Sequence, residues 1–299
     1  MRWERDVRLG ARTRYGIGGP ASRFGEPASR AELVEAIEAL ENEPHLVLGG
    51  GANLLVADRG VSRPVLRLAG ELDFVHVDDE TIHAGAAARL PALVSVARDA
   101  GRVGYRFLEA VPGTVGGGLR MNAGSRDEWL WHRVVWAEAV TPEGEVVRLA
   151  PGDVDYAYRR VTTPEEWIFL ETRLIAEPGD AETVRRAHLE FRTAKVSSQV
   201  YALPSVGSTW KNPGPPHPSA WQVVDEVGMR GAWHGDAQIA ERHANFIVNH
   251  GEAKANDVLE LMAETRRRAH EQLGVRLDPE IRFWGFTADE LARVGGLPC

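Results

Sequence analysis

The 299-residue sequence is long enough for two domains and a hydrophobic core, which excludes a mini-protein that depends on disulfides. Its residues are 43% hydrophobic and 26% charged, typical of a globular protein, and the net charge of -8 excludes a nucleic-acid binder that relies on general basicity. The single cysteine, Cys299, excludes an intrachain disulfide. The sequence shows neither a signal-peptide core nor an apolar membrane segment, so we expect a cytoplasmic protein with no membrane partner.

The first third of the chain combines helix, strand and glycine signals. Ser29 and Glu32 form a capping-box pattern ahead of apolar residues at helical spacing, which predicts a helix. A strand is predicted over 45–48, directly before three glycines. Short alternating segments over 65–86 predict antiparallel strands, and a helix is predicted over 90–100.

Elements of the remaining chain indicate a second domain. A hairpin is predicted around TPEG at 141–144, and further strand pattern follows at 167–176. Polar, turn-forming residues near 178–181 mark a boundary, with helical pattern at 184–187 and a long amphipathic helix from 256 to 273 that ends at Gly274. We therefore predict an α+β protein with one domain over 1–180, in two parts of about 1–60 and 61–180, and a second over 181–299.

Two glycine-rich stretches, at 49–51 and 111–124, are candidates for binding a phosphorylated ligand. Glycine lets backbone N–H groups approach phosphate oxygens. Taken alone, however, a glycine cluster after a strand is more often a tight turn, and the alternative for the second stretch is an irregular surface loop. The first has neither Rossmann spacing nor a Walker lysine. Two such stretches together favour an extended pyrophosphate ligand, and flavin adenine dinucleotide has that shape.

Seven motifs, in order along nearly the whole chain, resemble those of the UDP-N-acetylenolpyruvoylglucosamine reductase family. They are TRYGIGGPA, GGGANLLVADRG, VPGTVGGGLRMNAG, YAYR, PSVGSTWKNP, ERHANFIVN and LDPEIRFWG. The resemblance implies a two-part FAD-binding domain of the vanillyl-alcohol-oxidase (PCMH) type and a C-terminal α+β substrate-binding domain. It also implies the shorter family variant, which lacks an inserted tyrosine-bearing loop.

The resemblance further implies NADPH-dependent reduction of UDP-N-acetylglucosamine enolpyruvate to UDP-N-acetylmuramate, a step of peptidoglycan precursor synthesis. Hydride addition to an enolpyruvyl group needs a cation, a proton donor and an acid near the developing charge. The matching residues are Arg159 for the enolate, Ser208 as proton donor and Glu280 at the substrate carboxylate. The alternatives are a surface ion pair for Arg159, a turn residue for Ser208 and a solvated strand residue for Glu280.

The remaining site residues also follow from motif positions. Lys195, Asn212 and His243 match substrate-binding positions, although a lysine is usually solvated and a lone histidine is more often structural. We expect non-covalent FAD, NADPH, a UDP-sugar as the small-molecule partner, a monomer and no metal. The FAD-binding residues are expected to be Gly49, Gly50, Gly51, Asn53, Leu54, Pro112, Gly113, Thr114, Gly116, Gly117, Gly118, Asn122 and Gly124.

The sequence departs from the family pattern at three places: Ala52 replaces a frequent serine, residues 125–127 replace a frequent AYG, and RRVTTPEEW lacks the usual serine after Arg159. Two other functions compete with the reductase. A flavin-dependent alcohol or sugar oxidase could use the same scaffold but has no evident need for Arg159, Ser208 and Glu280 together. A flavin- or nucleotide-binding module without turnover would not need them either.

Overall fold

Strands and helices are interspersed along the chain in the computed structural model, which describes residues 1–125 and 128–297. The strands are β1 (Trp3–Arg8), β2 (Pro20–Gly25), β3 (Leu46–Val47), β4 (Leu54–Val56), β5 (Val65–Leu66), β6 (Val75–Val77), β7 (Thr81–Gly85), β8 (Gly124–Ser125), β9 (Glu128–Trp129), β10 (Val134–Val140), β11 (Val146–Leu149), β12 (Tyr156–Ala157), β13 (Arg160–Val161), β14 (Ile168–Ile175), β15 (Trp233–His234), β16 (Ala237–Ile239), β17 (Ile247–Asn249) and β18 (Arg282–Trp284). The α-helices are α1 (Arg30–Glu38), α2 (Leu90–Asp99), α3 (Val115–Met121), α4 (Ala181–Ser198), α5 (Ala220–Glu226), α6 (Ala255–Leu273) and α7 (Ala288–Ala292). This mixture confirms the predicted α+β class.

Segments from different parts of the sequence assemble into two units. The first consists of Met1–Glu4, Arg23–Gly50 and Arg63–Ser197, and the second of Arg5–Ser22, Gly51–Ser62 and Ser198–Cys299. These ranges differ from the predicted division at 180/181, because two N-terminal segments belong to the second unit and nearly all of α4 belongs to the first. The substrate-binding function that the sequence assigns to the second domain stays a prediction.

A five-stranded antiparallel sheet, in the order β11-β10-β14-β7-β6, forms the centre of the first unit. Successive side chains of a strand point to opposite faces, and β14 shows this clearly. Phe169 packs in the core that contains residues of α2 and α3. Ile168 and Leu170 pack in another core with Leu33 and Ile37 of α1. Apolar cores therefore cover both faces of this sheet, and one of them supports α3.

The prediction of antiparallel strands over 65–86 is only partly correct. β6 and β7 pair antiparallel as expected. β5, however, pairs parallel with both β2 and β3. The chain leaves β3, makes a crossover of more than a dozen residues and returns beside it in the same direction, which is the connection that parallel pairing requires.

The helix predictions are confirmed in most places. The Ser29 hydroxyl accepts a hydrogen bond from the Glu32 N–H at 3.2 Å at the start of α1, and Gly274 ends α6 with a left-handed φ of 65°. Two predictions are wrong in extent: α4 continues far beyond the predicted 184–187, and α3 lies within the glycine-rich stretch expected to be a loop. Among the helices of the described residues, none has the length and apolar character to span a membrane.

Helices α5 and α6 and the antiparallel sheet β15-β16-β17 supply the apolar core of the second unit, which also contains buried Trp210. Strand β4 pairs parallel with β18. The Asp58 carboxylate accepts hydrogen bonds from the Ala255 N–H at 3.0 and 3.1 Å, so a residue of the GGGANLLVADRG motif caps α6. Several of the family-like motifs are thus tied to this core.

Candidate functional site

The two glycine-rich stretches meet in the first unit. A Cβ atom on Gly49 would lie 2.8 Å from the Thr114 hydroxyl oxygen, and one on Gly50 would lie 2.7 Å from the Gly113 Cα. Only glycine allows such a close approach of the two backbones. The sequence-based expectation that both stretches contribute to one region of the fold is therefore consistent with the structure.

Backbone N–H groups in this region suit a diphosphate. Within residues 1–125 and 128–297, the N–H groups of Gly50, Gly113 and Thr114 donate to no protein acceptor. The Thr114 hydroxyl accepts from the Gly117 N–H at 3.3 Å and begins α3. Unused N–H donors on closely packed glycine backbones are the donor set that phosphate oxygens need, so these residues fit the pyrophosphate of FAD.

Three of the glycines predicted to bind FAD also have a packing role. A Cβ on Gly116 would lie 2.9 Å from that of Ala86, one on Gly118 would lie 3.1 Å from Leu130, and one on Gly124 would lie 2.2 Å from the Glu128 carbonyl oxygen. Close packing within the protein is therefore a sufficient physical reason for glycine at these positions. Their contribution to FAD binding, like that of Pro112, stays a prediction.

Asn122 joins the end of α3 to the YAYR segment. It is completely buried and has a left-handed φ of 45°, a conformation that asparagine tolerates. Its side-chain nitrogen donates to the Ala157 carbonyl at 2.9 Å, and its side-chain oxygen accepts from the Trp131 N–H at 3.2 Å. Because both side-chain groups are used within the protein, Asn122 organises this region through its own hydrogen bonds.

Arg159 and Arg160 have different environments. Arg159 lies in the turn between β12 and β13 with a φ of 55°, and its Nη2 donates to the Gly124 carbonyl at 3.1 Å. Arg160 is exposed and pairs with exposed Asp155 at 3.0 Å. Arg160 thus makes a surface ion pair.

Lys195, on α4, is electrostatically linked to Arg159. Burial, together with the nearby Arg159 guanidinium, lowers the pKa of Lys195 to about 8, whereas the Glu109 carboxylate acts in the opposite direction. An ammonium held in this environment favours an anionic partner. This position suits the predicted contact with the diphosphate of a UDP-sugar.

Glu109 and His188 are residues that the sequence analysis missed. Both side chains are buried, and the Glu109 carboxylate lies 3.0 Å from His188 Nδ1. In the sequence, Glu109 lies two residues before the second glycine-rich stretch, and His188 lies in a segment rich in charged residues. Neither position indicates that the two side chains pair. The spacing of His188 and Lys195, seven residues apart on one helix, would have suggested a shared face once α4 was known to be long.

In the second unit, residues 208–211 form an extended segment that lies between the segment containing Phe246 and the segment 278–280. Ser208 pairs with Phe246 in an antiparallel bridge on one side. On the other side the Glu280 N–H donates to the Thr209 carbonyl at 2.8 Å, and the Lys211 N–H donates to the Asp278 carbonyl at 2.9 Å. Ser208 and Glu280 are both half-buried. The structure therefore places the predicted proton donor and the predicted acid on adjacent segments.

Asn53 fixes the backbone beside Glu280. Its side-chain nitrogen donates to the Glu280 carbonyl at 3.0 Å, and its own carbonyl accepts from the Arg282 N–H at 2.9 Å. Asn53 was predicted to bind FAD, and the structure shows a second role for its side chain in holding the segment that carries Glu280. Gly51 and Leu54 lie in the same unit, where Leu54 is buried in β4.

Asn245 is a further residue that the sequence analysis missed, although it lies in the same motif as His243. Its buried side chain accepts from the Trp210 N–H and donates to the Trp210 carbonyl, both at 2.9 Å. Such a two-bond clamp fixes the segment that begins at Ser208. A buried asparagine within an apolar run was the available sequence signal.

His243 and Asn212 have structural partners. His243 Nδ1 accepts from the Asn245 N–H at 3.3 Å, and burial lowers the pKa of this imidazole. The Asn212 side-chain oxygen accepts from the Ala220 N–H at 2.9 Å at the start of α5. The predicted substrate contacts of both residues stay predictions.

Two of the departures from the family pattern have hydrogen-bond partners within the first unit. The Ser125 hydroxyl donates to the Phe107 carbonyl at 2.6 Å, whereas Arg126 and Asp127 lie outside the described residues. In RRVTTPEEW, the Thr163 hydroxyl accepts from Arg120 at 2.7 Å. The segment after Arg159 is thus held by a cation of α3. Cys299 also lies outside the described part of the chain.

Comparison with known families identifies both parts of the chain. A family model described as "FAD binding domain" matches residues 21–150. A second, described as "UDP-N-acetylenolpyruvoylglucosamine reductase, C-terminal domain", matches residues 199–284. The first match confirms the predicted FAD-binding domain, and the second lies within the predicted C-terminal domain.

Individual relatives match over almost the full length. A UDP-N-acetylenolpyruvoylglucosamine reductase of Acidiphilium cryptum is 38% identical, over 98% of this chain and 91% of the relative. One of Rubrobacter xylanophilus is also 38% identical, over 91% of this chain and 92% of the relative. The crystal structure of UDP-N-acetylenolpyruvylglucosamine reductase from Thermus caldophilus has a TM-score of 0.84 at 36% identity, covering 95% of this chain and 99% of that one.

Proposed function

Because the chain belongs to the UDP-N-acetylenolpyruvoylglucosamine reductase family, we propose that it uses NADPH to reduce UDP-N-acetylglucosamine enolpyruvate to UDP-N-acetylmuramate. The protein is a flavoprotein oxidoreductase of peptidoglycan precursor synthesis with an FAD-binding domain. The observation that most supports the finer assignment is the placement of Ser208 beside Glu280 on hydrogen-bonded segments. We include a monomeric state and a cytoplasmic location in the proposal.

FAD, when bound, supplies a hydride that it has accepted from NADPH. The N–H groups of Gly50, Gly113 and Thr114 would hold its pyrophosphate. The protein's task is then to orient the enolpyruvyl group, neutralise the charge that develops on it and deliver a proton. These three tasks need different side chains.

Arg159 is suited to the developing negative charge. Its guanidinium is permanently charged and planar, so it can hold a carboxylate through two parallel hydrogen bonds. Its backbone is fixed in the tight turn between β12 and β13, and its Nη2 bond to the Gly124 carbonyl restricts its orientation. As the hydride reaches the terminal carbon of the double bond, charge grows on the adjacent carbon and carboxylate, and Arg159 stabilises it.

Ser208 supplies the proton that completes the addition. The hydroxyl proton moves to the carbon adjacent to the carboxylate, and solvent returns a proton to the serine oxygen afterwards. A serine hydroxyl is a weak acid, so the transfer depends on its position and on the charge that it neutralises. Glu280, on the neighbouring segment, orients the substrate carboxylate together with Arg159. Its backbone is fixed by its own N–H bond to Thr209 and by Asn53.

The proposed activity is tested by the dependence of NADPH oxidation on the UDP-sugar under anaerobic conditions. We expect one NADPH to be consumed for each UDP-N-acetylmuramate formed, identified by a mass increase of two hydrogens. Oxygen consumption with an alcohol or sugar and no reaction with the UDP-sugar would instead indicate an oxidase. A protein that binds FAD but is not reduced by NADPH would contradict the proposal as well.

A further inference from the structure

The chain carries a strained residue directly before the second glycine-rich stretch. Ala110 has a φ of 56°, in the left-handed region that a residue with a Cβ atom seldom adopts. For alanine, this conformation is less stable than the ordinary helical and extended ones. It persists only where the surrounding structure fixes the chain on both sides of the residue. The structure has such a fixed point on each side of Ala110.

After Ala110, the chain is fixed by backbone hydrogen bonds to the start of α2. The Leu90 N–H donates to the Gly113 carbonyl at 3.0 Å, and the Val115 N–H donates to the Ala88 carbonyl at 2.8 Å. In the part of the chain that the structure describes, the N–H groups of Gly113 and Thr114 still have no protein acceptor. This end of the segment is therefore held without using the donors that suit a phosphate.

Before Ala110, the chain is fixed by the side chain of Glu109. Its carboxylate is 4% exposed and lies 3.0 Å from Nδ1 of His188, a side chain that is 3% exposed. A carboxylate only accepts hydrogen bonds, so the imidazole Nδ1–H donates to it. Arg98 Nη1 of α2 and Arg192 Nη1 of α4 lie farther from the carboxylate, at 3.9 and 4.0 Å. Moving Glu109 would leave a buried charge without its partner, which is costly.

We propose that the Glu109–His188 pair holds Ala110 in its left-handed conformation and so positions the glycine-rich stretch for FAD. The N–H groups of Gly113 and Thr114 follow three and four residues later, and their direction depends on the path that the chain takes through Ala110. Glu109 and His188 are positioning residues in this arrangement, since they act through the backbone of the stretch. The inference rests on the proposed function for the role of these N–H groups in holding the pyrophosphate.

The strain at Ala110 allows a test that separates positioning from general support of the fold. Glycine adopts a φ of 56° without strain, so Ala110→Gly removes the need for the Glu109 anchor. If the pair only supports the fold, Ala110→Gly adds flexibility to the unfolded chain and lowers stability further. Rescue of a Glu109 variant by Ala110→Gly is therefore specific to the proposed role.

The measurement is the rate at which FAD leaves the full-length holoenzyme after dilution, followed by the fluorescence of the released flavin. Glu109→Met removes the acceptor for His188 Nδ1 but keeps a side chain of similar length, and we expect FAD to leave ~10-fold faster. Glu109→Gln keeps an oxygen that accepts from Nδ1, so its rate should stay within about threefold of wild type. Adding Ala110→Gly to Glu109→Met should recover most of the loss.

Two controls accompany this measurement. Ala110→Gly alone should change the rate by less than about twofold. Ala92→Gly, at an exposed residue of α2, adds flexibility at an ordinary helical position and should not rescue Glu109→Met. A wild-type rate in Glu109→Met, or a faster rate that Ala110→Gly does not reduce, would overturn the proposal.

If Glu109→Met does not fold, His188→Gln is the second route, because its amide still donates to the carboxylate but does not fill the place of the ring. We expect FAD to leave about threefold faster from His188→Gln, and Ala110→Gly to reverse this. A wild-type rate, or no reversal, would contradict the proposal. FAD release requires neither NADPH nor the UDP-sugar, so failure of the proposed reaction would appear in the reductase assay and not in these rates.

Discussion

The side-chain nitrogen of Asn122 donates to the carbonyl oxygen of Ala157 at 2.9 Å, which links the end of α3 to the hairpin that carries Arg159. The backbone carbonyls of Asn122 and Gly124 accept hydrogen bonds from the Arg159 guanidinium, at 3.5 and 3.1 Å. The orientation of Arg159 therefore depends on the end of the glycine-rich stretch, directly after α3. A single buried asparagine connects the predicted flavin region to the predicted catalytic cation.

We expect Asn122→Ala to lower the free energy of unfolding by about 2–4 kcal/mol, because it leaves buried backbone groups unpaired and places alanine at a positive φ. Asn122→Gly removes the same hydrogen bonds but tolerates the backbone conformation, so it should recover about 1 kcal/mol of that loss. Denaturant unfolding of the two variants measures both contributions. Equal stability of both variants and the wild type would contradict the assigned role of Asn122.

Arg159 and Arg160 form a natural pair for comparison. Arg159→Lys should lower kcat by about 10²-fold, because an ammonium cannot make the two parallel bonds to a carboxylate in the transition state. Arg160→Lys should stay within about threefold of wild type, since exposed ion pairs contribute little. Steady-state kinetics at saturating UDP-sugar measures both effects. Similar losses in the two variants would place the important cation elsewhere.

The parts of this fold that the sequence predicted are those that local chemistry determines. The start of α1 at Ser29 and the end of α6 at Gly274 depend on caps whose residue types are visible in the sequence. The parallel pairing of β5 could not be predicted, because it depends on a neighbour that is distant in sequence. Helix α3 was missed since its glycines have low helix propensity, and tertiary packing around Gly118 and the Thr114 cap overrides that preference.

Gly50→Ala should reduce the flavin content of the purified protein to well below half. Its Cβ would lie 2.7 Å from the Gly113 Cα, and the two glycine-rich backbones would have to separate. Gly152→Ala is the matched control, because a Cβ there meets nothing within 4 Å. The ratio of flavin to protein absorbance gives the result. Full flavin content in Gly50→Ala would show that the close contact of the two stretches is not needed for FAD.

Lys195 should make stability depend on pH in a defined window. Its folded pKa of about 8 lies below the unfolded value near 10.5, so the unfolded state binds more protons between these values and stability rises with pH there. Below pH 8 Lys195 is charged in both the folded and the unfolded state, so the free energy of unfolding is lowered by the full cost of burying the ammonium. We expect Lys195→Met to be more stable than wild type by about 1–3 kcal/mol at pH 7.

The difference in stability between Lys195→Met and wild type should shrink as the pH approaches 10.5. Urea unfolding at pH 7, 9 and 10 measures it, with Lys254→Met at an exposed lysine as control. A difference between wild type and Lys195→Met that does not vary with pH would show that Lys195 keeps an ordinary pKa in the folded protein.

The candidate site could be predicted from motifs but not from residue chemistry alone. Arg159, Ser208 and Glu280 are ordinary surface residue types, and only their place in an ordered motif series singled them out. Asn245 and the Glu109–His188 pair were missed, since each acts by contacting a segment far away in sequence. Residues that position others leave no local pattern, and the structure is needed to find them.

The most direct test of the proposed reaction is the reoxidation of the NADPH-reduced protein by UDP-N-acetylglucosamine enolpyruvate, followed anaerobically through flavin absorbance. We predict prompt reoxidation in the wild type and a rate lower by ~10²-fold or more in Ser208→Ala, with normal flavin reduction by NADPH in both. Reoxidation at the same rate in both proteins would remove Ser208 as the proton donor. No reoxidation in the wild type would contradict the proposed substrate itself.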